Sequence, residues 1–243
     1  MAKLIAVYGA PGAGKTCIAL KVAMGIYMKT ADNDAPVFYL SPDLVVPSNG
    51  LLFPNYKPSE VKSLADIFDN SVITEDIVLI NTMTVKSMKN FGAIGFKAGD
   101  TEFSFPRPTP EKINALYSVL HDLAGYLIVD CAGEATDSIS QYALHSADVV
   151  LRVITPDLKG MAWYSSHSFI ERKDNEDLLN VVNITEKDLH LPVSEVGANI
   201  KSVAGEFPYS EALKQQMLDG ELYEMLRDNK YNKKVASLVQ KLV

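Results

Sequence analysis

The chain has 243 residues, 30 acidic and 23 basic, giving a formal net charge of −7, and 47% of it is hydrophobic against 22% charged. Those proportions support a sizeable buried core and exclude a disordered tail, a collagen-like repeat and a coiled coil. The acidic balance argues against a dedicated nucleic-acid binder, and two cysteines, Cys17 and Cys131, are too few for a disulfide framework, so a reducing cytoplasm is expected.

The first residues open like a secretion signal, but the apolar run is cut short by glycines and Lys15, and Lys3–Tyr8 reads as a buried first strand. Further strands are expected at Pro36–Leu40, Ile77–Asn81, Ala93–Phe96, Tyr126–Asp130, Val149–Ile154 and Leu178–Asn183, with a weaker one at Glu195–Ile200. Several are unbroken apolar runs, as strands covered on both faces require. Between them, Thr16–Met28 is apolar all round and reads as a helix against a sheet. Thr109, Pro110 and Glu111 form a helix start (a capping hydroxyl, proline in the first turn, acid at the positive end), with the helix running to about Leu123. Ser41–Pro58, with Pro42, Pro47, Pro54 and Pro58, and Gly99–Pro110 read as irregular. No run approaches the roughly 18 apolar residues that span a bilayer. This alternation predicts a three-layer α/β sandwich around a mostly parallel, twisted sheet, in one domain over residues 1–243 with a last helix over about 221–243.

Residues Gly9, Ala10, Pro11, Gly12, Ala13, Gly14, Lys15 and Thr16 match G-x-x-x-x-G-K-[ST] in full, after a strand and before a helix. Glycines let backbone N–H groups turn inward around a phosphate, and the helix N-terminus adds its dipole. Lys15 is expected to bridge β- and γ-phosphates, Thr16 to bind Mg²⁺ through its hydroxyl, and the amides of Thr16 and Cys17 to meet phosphate oxygens. The apolar run from Tyr126 to Asp130 ends in a carboxylate, the form expected of a strand that serves the metal, and a parallel sheet brings its end to the loop. These residues predict a P-loop nucleotide-binding protein.

The stretch from Asp130 to Asp157, with a small-residue turn after Asp130, Ala143 and Leu144, Ala147 and Asp148, a strand, then Thr155-Pro-Asp157, resembles the ParA/MinD family of P-loop ATPases. Pro208–Gly220 and the strand end at Val181–Asn183 are similar to later segments of that family, so the resemblance runs from about Met1 to Gly220. It implies ATP and Mg²⁺ as ligands, Lys15 and Thr16 on phosphate and metal, and Asp130 on the metal through its water shell. The family's second strand ends in D-x-D; here the run is Ser41-Pro42-Asp43, which makes Asp43 the candidate for orienting the attacking water and touching the metal site. A turn-forming aspartate after proline is the other reading of Asp43. Asn183 is the candidate reader of the base, against a plain strand-end cap, with the Phe207-Pro208 loop over the other side of the adenine.

The informative departure is Ala10, where most relatives carry a signature lysine that reaches a partner's phosphates. Family members without it include the pilus-assembly proteins of the TadZ/CpaE group, whose usual receiver-like domain finds no room before a loop at residue 9. The resemblance implies a slow Mg-dependent ATPase, acting as a nucleotide-controlled switch in positioning or assembling a bacterial cellular machine. The alternative is a scaffold that binds nucleotide without hydrolysing it, and a small-molecule kinase is disfavoured by the scattered arginines. Implied partners are nucleotide, a second copy and a protein of an assembly or localisation system; DNA coating is not favoured at this charge. The last helix, with apolar residues at 235, 238, 239 and 242 among lysines, reads either as packed on the sheet, the preferred reading, or as a membrane-visiting helix. The protein is expected in the cytoplasm, at most peripheral to a membrane. The four histidines lack metal-ligand spacing, Cys17 and Cys131 read as small packing residues, and Trp163 and Tyr164 as an interface or a buried aromatic pair.

Overall fold

Strand formation begins where the apolar runs are unbroken. A computed structural model describes residues 2–53, 56–57, 59–85, 87–105, 107–133, 137–167, 178–188 and 190–243. Its strands are β1 (Lys3–Gly9), β2 (Val37–Ser41), β3 (Met83–Val85), β4 (Met88–Gly95), β5 (Tyr126–Asp130), β6 (Val149–Ile154), β7 (Leu178–Asn183) and β8 (Val203–Phe207). They hydrogen-bond in the order β3-β4-β2-β5-β1-β6-β7-β8, all parallel except β3, which runs antiparallel to β4. Parallel pairing sends every other strand's C-terminal end to one edge, the edge at which ligands bind in open α/β sheets.

Helices cover both faces, which is why the strands carry little polar alternation. Along β1, Ile5 and Val7 join one apolar cluster while Leu4, Ala6 and Tyr8 join the other. The first cluster is closed by α1 (Lys15–Thr30) and the C-terminal helix, the second by α5 (Pro110–Leu123) and α6 (Ser138–Ser146). Introduced in chain order, the remaining helices are α2 (Asn49–Leu52), α3 (Leu64–Phe68), α4 (Glu75–Ile80), α7 (Leu158–Ser166), α8 (Val193–Ala198), α9 (Glu211–Asp219) and α10 (Asn229–Leu242). The Thr109 start is present as read: its side chain accepts from the Lys112 amide and Pro110 opens α5.

Several expectations need correction. Ile77–Asn81 is not a strand: the Thr74 hydroxyl accepts from the Ile77 amide, Glu75 and Asp76 fill the first turn, and the segment becomes α4. Only Val78 of that run is buried, while Leu79 and Ile80 are 48% and 66% exposed, so the run turns about a helix axis rather than being covered on both faces as a central strand. The sheet instead takes Met83–Val85 beyond it. Glu195–Ile200 is also helical over Val193–Ala198, because Gly197 and Ala198 give no β-branched run; the strand forms after Ser202, which takes φ 52° at the turn. Strand β4 starts at Met88 rather than Ala93, and the irregular stretch after Ser41 holds one short helix, α2. Pro54 and Pro58 lie outside the described residues. The last helix starts at Asn229, not near 221, where the Asp228 carboxylate accepts from the Lys230 and Tyr231 amides.

The apolar face of α10 is occupied within the protein. Tyr231, Val235, Leu238, Val239 and Leu242 are buried, and α1 approaches so closely that a Cβ on Gly25 would lie 2.9 Å from a Val239 methyl. Among the described residues no helix is long and apolar enough to cross a membrane. Leu238, 1% exposed, belongs to the same apolar cluster as α1. Leu238→Ala should therefore lower unfolding stability by about 3 kcal/mol in urea titration, the usual cost of a buried leucine cavity; a change below about 1 kcal/mol would show that the helix is not part of the core.

Candidate functional site

The loop after β1 is shaped by its glycines. Gly12 and Gly14 take φ 80° and 81°, a region that favours residues without a Cβ, and Gly14 occupies the N-cap of α1. A Cβ on Gly9 would strike the Val153 carbonyl, and one on Gly14 would strike the Asn183 amide. The turn closes through the Ala13 amide donating to the Ala10 carbonyl at 3.0 Å, and the Lys15 ammonium donates to that carbonyl at 3.3 Å. Ala10 is 4% exposed, so position 10 offers only a buried methyl to the site.

Register places the acid. Val7 pairs with Asp130, and the Cys131 amide donates to the Val7 carbonyl at 2.9 Å, so the end of β5 lies beside the start of the loop. Asp130 is 3% exposed; its Oδ2 accepts from the Thr16 hydroxyl at 2.6 Å and from the Tyr39 hydroxyl at 2.9 Å. Its Oδ1 is buried with no partner among the described residues. Burial pushes the carboxyl above the ordinary aspartate range, the Thr16 bond, the Lys15 charge and the Tyr39 bond pull it back, and Asp43 adds repulsion. Tyr39 could not be picked out from a strand buried on both faces, where alternation does not reveal which hydroxyl faces the loop.

This donor set fits a small hard cation. Mg²⁺ takes one or two protein oxygens and completes its shell with water and phosphate, and here a loop hydroxyl sits against a buried carboxylate with an orphaned oxygen. No group of three or more His, Cys, Asp or Glu forms a metal cage among the described residues.

Around the loop lies a cavity of about 1030 Å³ along the C-terminal edge of the sheet. Lys15, Thr16, Asp43, Asn183 and Pro208 all line it, so the fold brings residues more than 190 positions apart to one space. Asp43 does what a turn aspartate does as well: its Oδ1 accepts from the Val45 and Val46 amides at 3.0 and 2.9 Å. Asn183 is 5% exposed and donates to the Ala13 carbonyl at 2.8 Å, bracing the loop from the end of β7. Nothing local in the sequence signals that brace. Asp137, not among the expected site residues, caps α6 by accepting from the Ser140 amide at 2.7 Å and has its carboxyl raised by burial. Arg107, Tyr209 and Lys214 line the cavity as well.

The cysteines are packing residues. Burial pushes the Cys17 thiol up to about 11, and the Cys131 thiol is raised still further, so neither is a thiolate nucleophile at neutral pH. Trp163 stacks on His167 with ring centres 4.4 Å apart and Tyr164 lies under the Arg152 guanidinium, so these aromatics are engaged inside the chain.

No family model matches the chain. It is 26% identical over 202 residues to an uncharacterized ATP-binding protein of Methanocaldococcus jannaschii, an alignment covering 82% of this chain and 63% of that one. The chain thus spans under two thirds of that relative. Among solved structures it superposes on a ParA family ATPase of Chlorobium tepidum with a TM-score of 0.75 at 16% identity, over 98% of each chain. It also superposes on the septum site-determining protein MinD of Pyrococcus horikoshii, complexed with Mg-ADP, with a TM-score of 0.74 at 15% identity, over 99% of this chain and 95% of that one.

Because burial raises Asp130, its ionised form costs folding stability at neutral pH, and that cost fades as pH falls through the folded-state value. Asp130→Asn should raise the melting temperature of the nucleotide-free protein at pH 7, with the gain shrinking toward acid, and should weaken Mg-dependent nucleotide binding. Differential scanning calorimetry across pH checks the first part; an equal or lower melting temperature at pH 7 would contradict it.

Proposed function

On a fold shared with ParA- and MinD-type ATPases, we propose that this chain binds Mg-ATP at the edge of its sheet and hydrolyses it slowly, acting as a nucleotide-controlled switch. The observation that carries the reading is the Thr16 hydroxyl bonded to buried Asp130 directly beneath a complete phosphate loop. The phosphates would lie in the backbone nest of Gly9–Cys17, with the Lys15 ammonium across the β- and γ-phosphates. Thr16, and Asp130 through water, would hold Mg²⁺, which when bound neutralises developing phosphate charge. Asn183 and Pro208 would flank the base, toward β7 and β8.

Asp43 stands on the opposite side, in the loop after β2, and is assigned to accept a hydrogen bond from the attacking water. Water oxygen bonds to the γ-phosphorus, the bond to the ADP oxygen breaks, and the proton leaves with inorganic phosphate. Position 10 contributes no cation, so transition-state charge is less fully neutralised and turnover is expected to be slow. The nucleotide state can reach a partner through the loop that carries Asp43, because its neighbours Val45 and Val46 are 66% and 58% exposed. The partner is assigned as a protein of a positioning or assembly system, with a second copy of the chain as the other candidate. A cytoplasmic location follows from the same reading.

A second reading, a scaffold that holds nucleotide without turnover, is favoured by one observation: the Asp43 carboxylate is already tied into the Val45–Val46 turn. Phosphate release separates the two. Lys15→Ala should abolish ATP binding, whereas Asp43→Asn should keep ATP affinity within about twofold and cut release by about 100-fold, the range for a lost water-positioning group. Wild-type release no higher than that of Lys15→Ala, with tight ATP binding, would replace the switch with the scaffold.

A further inference from the structure

A buried cation that the phosphate chemistry does not use lies about one and two-thirds turns along α1 from Lys15. Lys21 is 5% exposed, and its ammonium donates to the Gln216 side-chain oxygen at 2.8 Å, the Leu222 carbonyl at 2.6 Å and the Glu224 carbonyl at 2.8 Å. All three donors of the ammonium are thereby used. The acceptors belong to the end of α9 and the irregular connector to α10, about 200 residues away in sequence. The connector is organised around this point: Gly220 ends α9 at φ 70°, the Glu221 amide returns to the Gln216 carbonyl at 2.8 Å, and the Gln216 side-chain nitrogen donates to the Glu224 and Met225 carbonyls at 3.3 and 3.2 Å.

The same segment is a wall of the nucleotide cavity. Leu213, Met217 and Leu222 line it, and Met217 reaches the Cys17 sulfur at 3.9 Å. Sheet order puts this wall on the β8 side of the loop, away from Asp43 and Asp130, the side to which the proposed function assigns the base. One rigid helix therefore holds the phosphate nest at its first turn and this wall at its second.

We propose that Lys21 is a positioning residue that fixes the α9 wall against the phosphate loop, so that the cavity is pre-formed for the nucleoside half of its ligand; this rests on the nucleotide reading above. A buried ammonium is costly unless fully bonded, and burial holds this one down to about 8, against the favourable influence of Cys17 and Glu224. An apolar side chain here would leave the Leu222 and Glu224 carbonyls without this donor and free the wall to drift. Pre-organisation of that kind appears as ligand affinity. It should act on nucleoside contacts and leave phosphate contacts alone.

The test is isothermal titration of wild type, Lys21→Met and Lys21→Arg with Mg-ADP and with Mg-tripolyphosphate, which shares the phosphates and lacks the nucleoside. Lys21→Met should lose about tenfold in ADP affinity, keep tripolyphosphate affinity within about twofold, and be partly rescued by Lys21→Arg, which keeps charge and donors. If Lys21→Met does not fold, Gln216→Ala, which removes one acceptor, should show a smaller loss with the same selectivity for ADP. Unchanged ADP affinity, or an equal loss for both ligands, would overturn the proposal while leaving the nucleotide reading intact. Wild type that binds neither ligand would overturn both.

Discussion

A single hydrogen bond, from the Thr16 hydroxyl to the carboxylate of Asp130 at 2.6 Å, is the interaction on which the site depends. It joins the first helix to the fifth strand across 114 residues of sequence, and it forms only because β5 pairs with β1 in a register that sets Asp130 beside Val7. The carboxylate is held where water is scarce, and its second oxygen has no partner among the described residues. A fold optimised for stability alone would not leave such a group. Its cost is intelligible if a cation and a phosphate complete the arrangement.

The rest of the architecture serves that placement. Parallel strands deliver the loop, Asp43, Asp130 and Asn183 to one edge, and two apolar layers lock the strands from both sides. Asn183 and Gly14 meet so closely that a side chain at 14 would collide with the amide, and the amide in turn holds the Ala13 carbonyl. Helix α1 carries the phosphate nest at one end and, through Lys21, the connector after α9. Helix α10 closes the same layer against Gly25. Its basic residues remain outside while its apolar face is consumed by packing, which is why the amphipathic pattern alone could not separate a core helix from a membrane-visiting one.

Local chemistry was legible in the sequence and long-range chemistry was not. The phosphate loop is contiguous, so its glycines and Lys15 were visible at once, as were the largely apolar strands Tyr126–Asp130, Val149–Ile154 and Leu178–Asn183, despite Arg152 and Asn180 within them. Ile77–Asn81 misled because four apolar residues in a row read as a buried strand although two of them, Leu79 and Ile80, are exposed on a short helix, and the capping Thr74 was the signal that decides. Glu195–Ile200 failed because Gly197 and Ala198 interrupt any β-branched run. Tyr39 and Lys21 were invisible because their partners are set by sheet order and helix docking, whereas Asp137 is a local cap followed three residues on by Ser140. The ParA/MinD resemblance anticipated the fold, and the departures at Ala10 and Ser41 stand out against it, both buried and neither offering charge.

The central claim is that Thr16 and Asp130 form a metal site completed by nucleotide phosphate. Titration of ATP into the protein with Mg²⁺ and again in EDTA tests it most directly. The account predicts that Mg²⁺ tightens ATP binding about tenfold or more, since the metal adds ligands shared with the phosphates, and that Thr16→Ala removes this gain while retaining the Mg-independent affinity supplied by the loop and Lys15. Equal ATP affinity with and without Mg²⁺, or a gain that survives in Thr16→Ala, would contradict it.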